Sequence, residues 1–127
     1  MGLNRGRKTM ARSSQGSYVL VLTTCGTRRE ALRIAQSIVK LRLGACVTVS
    51  VQPVSSVYRW KGKIEQAKEF SLLIKTTRPK LAALQTEIKR LHSYEVPEFL
   101  VLPVAGGSPA YLAWLNDCLQ PAMPTGR

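Results

Sequence analysis

The sequence predicts an α+β domain, a ferredoxin-like β-α-β-β-α-β sandwich with a long central hairpin and a short C-terminal helix. Three observations predict it. Short β-branched apolar runs alternate with two stretches of apolar residues at helical spacing, Gly and Pro punctuate the segments, and Lys61-Gly62-Lys63 separates two strand-like runs. Two βαβ halves placed back to back put both long helices on one face of one sheet. With 127 residues, 45% of them apolar, the chain suits a single domain with a sizeable core.

Each element has its own signal. Tyr18–Thr24 is apolar and β-branched and runs into a turn at Cys25-Gly26. Thr27-Arg-Arg-Glu30 has the spacing of a capping box, and Ala31, Ile34, Ala35, Ile38 and Leu41 follow on one helical stripe. Gly44 is placed to end that helix in a left-handed conformation. Ala45–Gln52 reads as a strand stopped by Pro53, and Val54–Trp60 and Ile64–Thr76 as the arms of the hairpin. The second arm alternates at Phe70, Leu72 and Ile74 but is polar over residues 65–69, so one half faces the core and the other projects. Pro79 opens a second helix bearing Leu81, Leu84, Ile88 and Leu91. Glu98–Val104 is a further strand, residues 105–108 form a loop, and Ser108-Pro109 caps a last helix with Tyr111, Leu112, Trp114, Leu115 and Cys118.

Charge is concentrated at the ends. Of the 19 basic residues, Arg5, Arg7, Lys8 and Arg12 lie within residues 1–16, which hold no acid, and Arg127 lies at the other end. Without these five the net charge falls from +12 to +7. We expect 1–16 to be a disordered basic arm, 17–119 the folded domain and 120–127 a flexible tail. No apolar run reaches the roughly 18 residues of a membrane helix, and no basic–aromatic repeat marks a nucleic-acid module. Neither a membrane nor a specific nucleic acid is an expected partner.

Three cysteines without CxxC spacing argue against a disulfide framework and a structural zinc site, and favour the cytoplasm. His92, the single histidine, falls at the end of the second helix. It is a candidate metal ligand aided by Glu95 or Glu98, or else a helix-capping side chain. Cys25 precedes a helix N-terminus and Arg28-Arg29, a setting that favours thiolate and copper(I), or else it is an ordinary loop thiol. Cys46 and Cys118 lie on apolar stripes and read as core. Nothing resembles a Ser-His-Asp set, a metalloprotease motif or a nucleotide fingerprint, and the 105–108 loop lacks P-loop spacing, so we expect a binding protein and not an enzyme.

Several segments together resemble the CutA family of divalent-cation tolerance proteins. They are Ala45-Cys-Val47, Ser56-Val-Tyr-Arg-Trp-Lys-Gly-Lys-Ile-Glu65, Leu73-Ile-Lys-Thr-Thr77, His92-Ser-Tyr-Glu-Val-Pro-Glu98, Leu102-Pro-Val104 and Tyr111-Leu-Ala-Trp-Leu115. The resemblance covers about residues 18–119, and it implies a tight homotrimer built by β-strand pairing, a cytoplasmic bacterial setting and a link to copper or another divalent cation. It also implies Tyr58, Arg59, Trp60 and Lys61 as cleft lining, with subunit contact as the alternative role of these four, and makes Lys75, Tyr94, Glu95 and Glu98 candidate ligand contacts. Because that trimer is similar to the PII signalling proteins, sensing a small ligand or regulating a partner is the alternative function. The chain departs from the pattern in three places. Ser93 stands where the family commonly has proline, Thr23 where copper-binding members have cysteine, and Leu91 where they have a second histidine. Any bound metal is therefore expected to be weak and centred on His92, with affinity falling below about pH 6.5 as the imidazole protonates.

Overall fold

The computed structural model describes residues 11–12 and 17–121. Its main elements are β1 (Tyr18–Cys25), α1 (Arg28–Lys40), β2 (Cys46–Val49), β3 (Val54–Trp60), β4 (Lys63–Thr77), α2 (Leu81–Leu91), β5 (Leu100–Pro103) and α3 (Pro109–Cys118). The sheet runs β2-β4-β1-β5, all antiparallel, which is the strand order of the ferredoxin-like fold. The fold class is as the sequence predicts.

The length of β4 dictates the shape. Its inner half pairs with β1 from Phe70 to Thr77 and with β2 from Leu72 to Lys75. Its outer half pairs only with β3, from Val54 opposite Glu69 to Trp60 opposite Lys63. The hairpin turns at Lys61 and Gly62, with φ of 50° and 83°, the two left-handed residues of a type I′ turn. Lys63 thus opens the strand and is not part of the loop.

The core lies between the sheet and the pair α1, α2. Val21, Cys25, Leu72 and Ile74 from the strands meet Ala31, Ile34, Ile38, Leu84 and Ile88 from the helices. Ser37 donates to Glu87 at 2.6 Å and Arg90 chelates the same carboxylate at 2.7 and 3.0 Å, tying the two helices together. α3 covers part of the opposite face, where Leu115 and Leu119 pack on Ala45 and Tyr18.

Four expectations need correcting. Cys25 closes β1 and does not lie in a turn. The left-handed residue after α1 is Arg42 (φ 59°), with Leu43 N–H on the Ile38 carbonyl and Arg42 N–H on that of Val39, a Schellman cap. Gly44 is needed for space instead, because a Cβ there would lie 2.8 Å from Ile38 Cγ2 and 2.9 Å from Ile74 Cγ2. β2 and β5 are shorter than their apolar runs, because pairing with β4 and β1 stops at Val49 and begins only at Leu100. Finally, Ala11–Arg12 forms a two-residue ladder with Gly106–Gly107, so this piece of the expected solvated arm is attached to the domain and the 105–108 loop is part strand. The rest of residues 1–16, and 122–127 of the expected tail, lie outside the described residues.

Candidate metal cluster and adjoining cleft

Three element ends meet at the C-terminal end of β1. Alternation along β1 buries Thr23 and Cys25 on the helix side of the sheet. Glu30 sits in the first turn of α1, whose N-terminus is fixed by its own N–H bonding the Thr27 hydroxyl at 3.1 Å. His92 is the C-cap of α2. Sγ of Cys25, a carboxylate oxygen of Glu30 and a ring nitrogen of His92 lie within 4.8 Å of one another.

The imidazole is buried and gripped at both nitrogens. Tyr94 N–H donates to Nδ1 at 3.0 Å, which makes Nε2 the protonated nitrogen, and Nε2–H donates to the Thr24 carbonyl at 2.6 Å. Glu30 Oε2 lies 3.3 Å from Nδ1 and accepts Ser93 N–H at 3.1 Å. A proline at position 93 has no such hydrogen, so serine here supplies a donor that fixes Glu30. The acid beside His92 is therefore Glu30 and not Glu95 or Glu98, which are exposed.

Cys25 also differs from expectation. Arg28 and Arg29 point to solvent, while burial, and then the negative charges of Glu30 and Glu69, push the thiol up to about 12. It is a protonated, protected thiol. Thiol, carboxylate and imidazole together are a donor set suited to copper or zinc. A cation here would displace the thiol proton and one of the two present partners of the ring. Thr23 Oγ1 is buried without a hydrogen-bond partner among the described residues.

Two residues beyond His92, Tyr94 turns to the other side and opens a cleft of about 660 Å³. Its ring packs on the imidazole at 4.7 Å between centroids, and its hydroxyl donates to Glu69 Oε2 at 2.7 Å. Thr24 Oγ1 donates to the same oxygen at 3.3 Å. Burial first, then Glu69, holds the phenol above its ordinary range. A Cβ on Gly26 would approach the Tyr94 hydroxyl to 3.3 Å, so the β1–α1 turn must be slim here. Tyr58, Trp60, Tyr94, Glu95 and Glu98 all line this cleft. Lys75 does not. Its Nζ lies on the α3 face, 3.9 Å from Cys46 Sγ and 5.9 Å from the centre of the Tyr111 ring.

Sequence reasoning missed Glu30 and Glu69. The capping-box pattern explained Glu30 locally and hid its reach to a segment 63 residues away. Glu69 sat in a polar run with no sign that it is only 6% exposed.

A family model for the CutA1 divalent ion tolerance protein matches residues 19–118. The chain belongs to the CutA1 family. It is 44% identical over 102 residues to the divalent-cation tolerance protein CutA of Pectobacterium atrosepticum, covering 80% of this chain and 92% of that one. The CutA structure from Synechococcus elongatus superposes with a TM-score of 0.80 at 38% identity, over 87% of this chain and 96% of that one. A CutA structure from Archaeoglobus fulgidus, described as a periplasmic divalent cation tolerance protein, gives 0.78 at 33% identity, over 81% and 99%. In this CutA chain, His92 has Cys25 and Glu30 beside it.

Proposed function

We propose that this chain is a divalent-cation tolerance protein of the cytoplasm that acts as a homotrimer and binds copper, or a metal of similar ligand preference, at Cys25, Glu30 and His92. The observation that carries this reading is the convergence of three donors from β1, α1 and α2 within 4.8 Å. Binding, not catalysis, is the role it supports. Three free cysteines support a reducing compartment, and no helix among the described residues is long and apolar enough to cross a membrane. The exposed apolar side chains of the outer hairpin, Val57 and Ile64, and of β5, Leu100 and Leu102, support assembly with further copies.

Calorimetry on the full chain, stripped with a chelator, tests the metal site. Copper(II) and zinc(II) should each bind, with affinity falling as pH falls, because the cation must displace the Cys25 proton. His92→Ala should abolish most copper(II) binding, and Cys25→Ser should weaken copper(I) more than copper(II). Wild-type affinity in the triple variant Cys25→Ser, Glu30→Gln, His92→Ala would refute the assignment. Light scattering should give three times the 14.0 kDa chain mass; a monomer at micromolar concentration removes the trimer.

The cleft supports a second reading, a trimer that senses a small ligand in the manner of the PII proteins, since its volume falls within the range of small-molecule sites.

A further inference from the structure

Three of the seven acidic side chains of the whole chain, Glu69, Glu95 and Glu98, line the cleft next to Tyr94, and among the described residues no basic side chain lines it. In a molecule of net charge +12 this is a local reversal of sign, and the walls of a cleft concentrate such a field. The facing wall is aromatic, because Tyr58 and Trp60 are two apart on β3 and share one face of the strand. The Trp60 ring already attracts an ammonium, since Lys61 Nζ lies 5.7 Å from its centroid.

Acid on the floor and rim, aromatic rings on the wall and about 660 Å³ of room form a consistent set. An anion is repelled by the carboxylates. A hydrated metal ion gains little from the rings, and a neutral apolar molecule leaves the carboxylates without a counter-charge. We propose that the cleft between β3 and the 94–98 segment binds a small organic cation, an alkylamine or quaternary ammonium with an apolar body. Glu69 is the inner counter-charge, held in place by Tyr94 and Thr24. Glu98 and Glu95 complete the rim, and Trp60 takes the cationic head on its face in place of the ammonium of Lys61, which is exposed and free to move into solvent. The proposal deepens the ligand-sensing reading by naming the ligand's class, and it is independent of the metal cluster.

The test uses the full chain carrying Trp114→Phe, which leaves Trp60 as its one tryptophan. With a chelator present, Trp60 emission is followed against choline and against 3,3-dimethylbutanol, its neutral isostere. Choline should give a saturable change, with the isostere weaker by about tenfold or more. Glu98→Gln, at an exposed position, should weaken choline several-fold without changing the melting temperature, and Glu69→Gln should weaken it further. Equal binding of the two probes would overturn the cation class while leaving a ligand site standing. No saturable response to choline or to 1,5-diaminopentane would overturn the proposal, and silence from the isostere as well would remove the ligand-sensing reading with it. Calcium binding more tightly than choline would overturn the proposal in favour of a hard-cation site.

Discussion

The two halves of β4 are one continuous strand in two different environments. In the inner half Leu72 and Ile74 are buried in the core with side chains of α1 and α2, Thr76 is buried as well, and the backbone is paired on both edges from Leu72 to Lys75. In the outer half Ile64 is 63% exposed, Val57, two residues from its cross-strand partner Arg59, is 66% exposed, and among the described residues only β3 is paired with the backbone. The inner half therefore draws its stability from within the chain. The outer half presents apolar area and a strand edge that another chain would cover.

The same substitution on each half tests this contrast. Ile74→Ala removes a fully buried side chain and should cost about 2–5 kcal/mol of unfolding free energy, read by urea denaturation. Gly44→Ala, which drives a Cβ into Ile38 and Ile74, should cost about 1–3 kcal/mol, because β-branched methyl groups cannot swing aside. A loss below about 0.3 kcal/mol would show that this junction relaxes freely. Acid should loosen the inner region further. Glu87 is held down to about 2, chiefly by its hydrogen bonds from Arg90 and Ser37. Its stabilisation is complete above the ordinary carboxylate value and is lost as pH falls from there towards 2. Glu87→Gln should flatten that part of the stability–pH curve, and an unchanged curve would place the acid sensitivity elsewhere. Ile64→Ala should change the stability of the single chain by less than about 0.5 kcal/mol but weaken assembly, seen as a lower mass on dilution. If it costs as much as Ile74→Ala in dissociated protein, the outer half is covered from within its own chain.

Periodicity made the fold readable. Ala31, Ile34 and Ile38 at helical spacing, and Val19, Val21 and Thr23 at strand spacing, are the positions that the structure buries. Lys75 was open to correction by the same logic: Leu72, Ile74 and Thr76 face the helices, so position 75 must face the other way. The candidate site was legible only in part. His92 and Cys25 stand out as chemical types, but nothing local connects Glu30 to Ser93 or Glu69 to Tyr94, contacts that exist only once β1, α1 and α2 share a corner. The helix N-terminus and Arg28-Arg29 near Cys25 favour a thiolate locally, yet burial outweighs them. Glycine after a helix usually serves backbone conformation, but here Arg42 adopts the left-handed turn and its side chain donates to the Cys118 carbonyl at 3.1 Å, while Gly44 answers a need for space.

The grip on His92 has a consequence for how this molecule can drift over generations. Both partners of the ring, the Thr24 carbonyl and the Tyr94 amide, belong to the main chain. No side-chain replacement at position 24 deletes that carbonyl, and at position 94 only proline removes the amide. The orientation of the imidazole is thus insulated from most point mutations around it. Cys25 and Glu30 have no such protection, since one substitution removes either donor. Lineages descending from this chain can exchange the companions of the histidine, and with them the preferred metal, while the ring itself stays where it is.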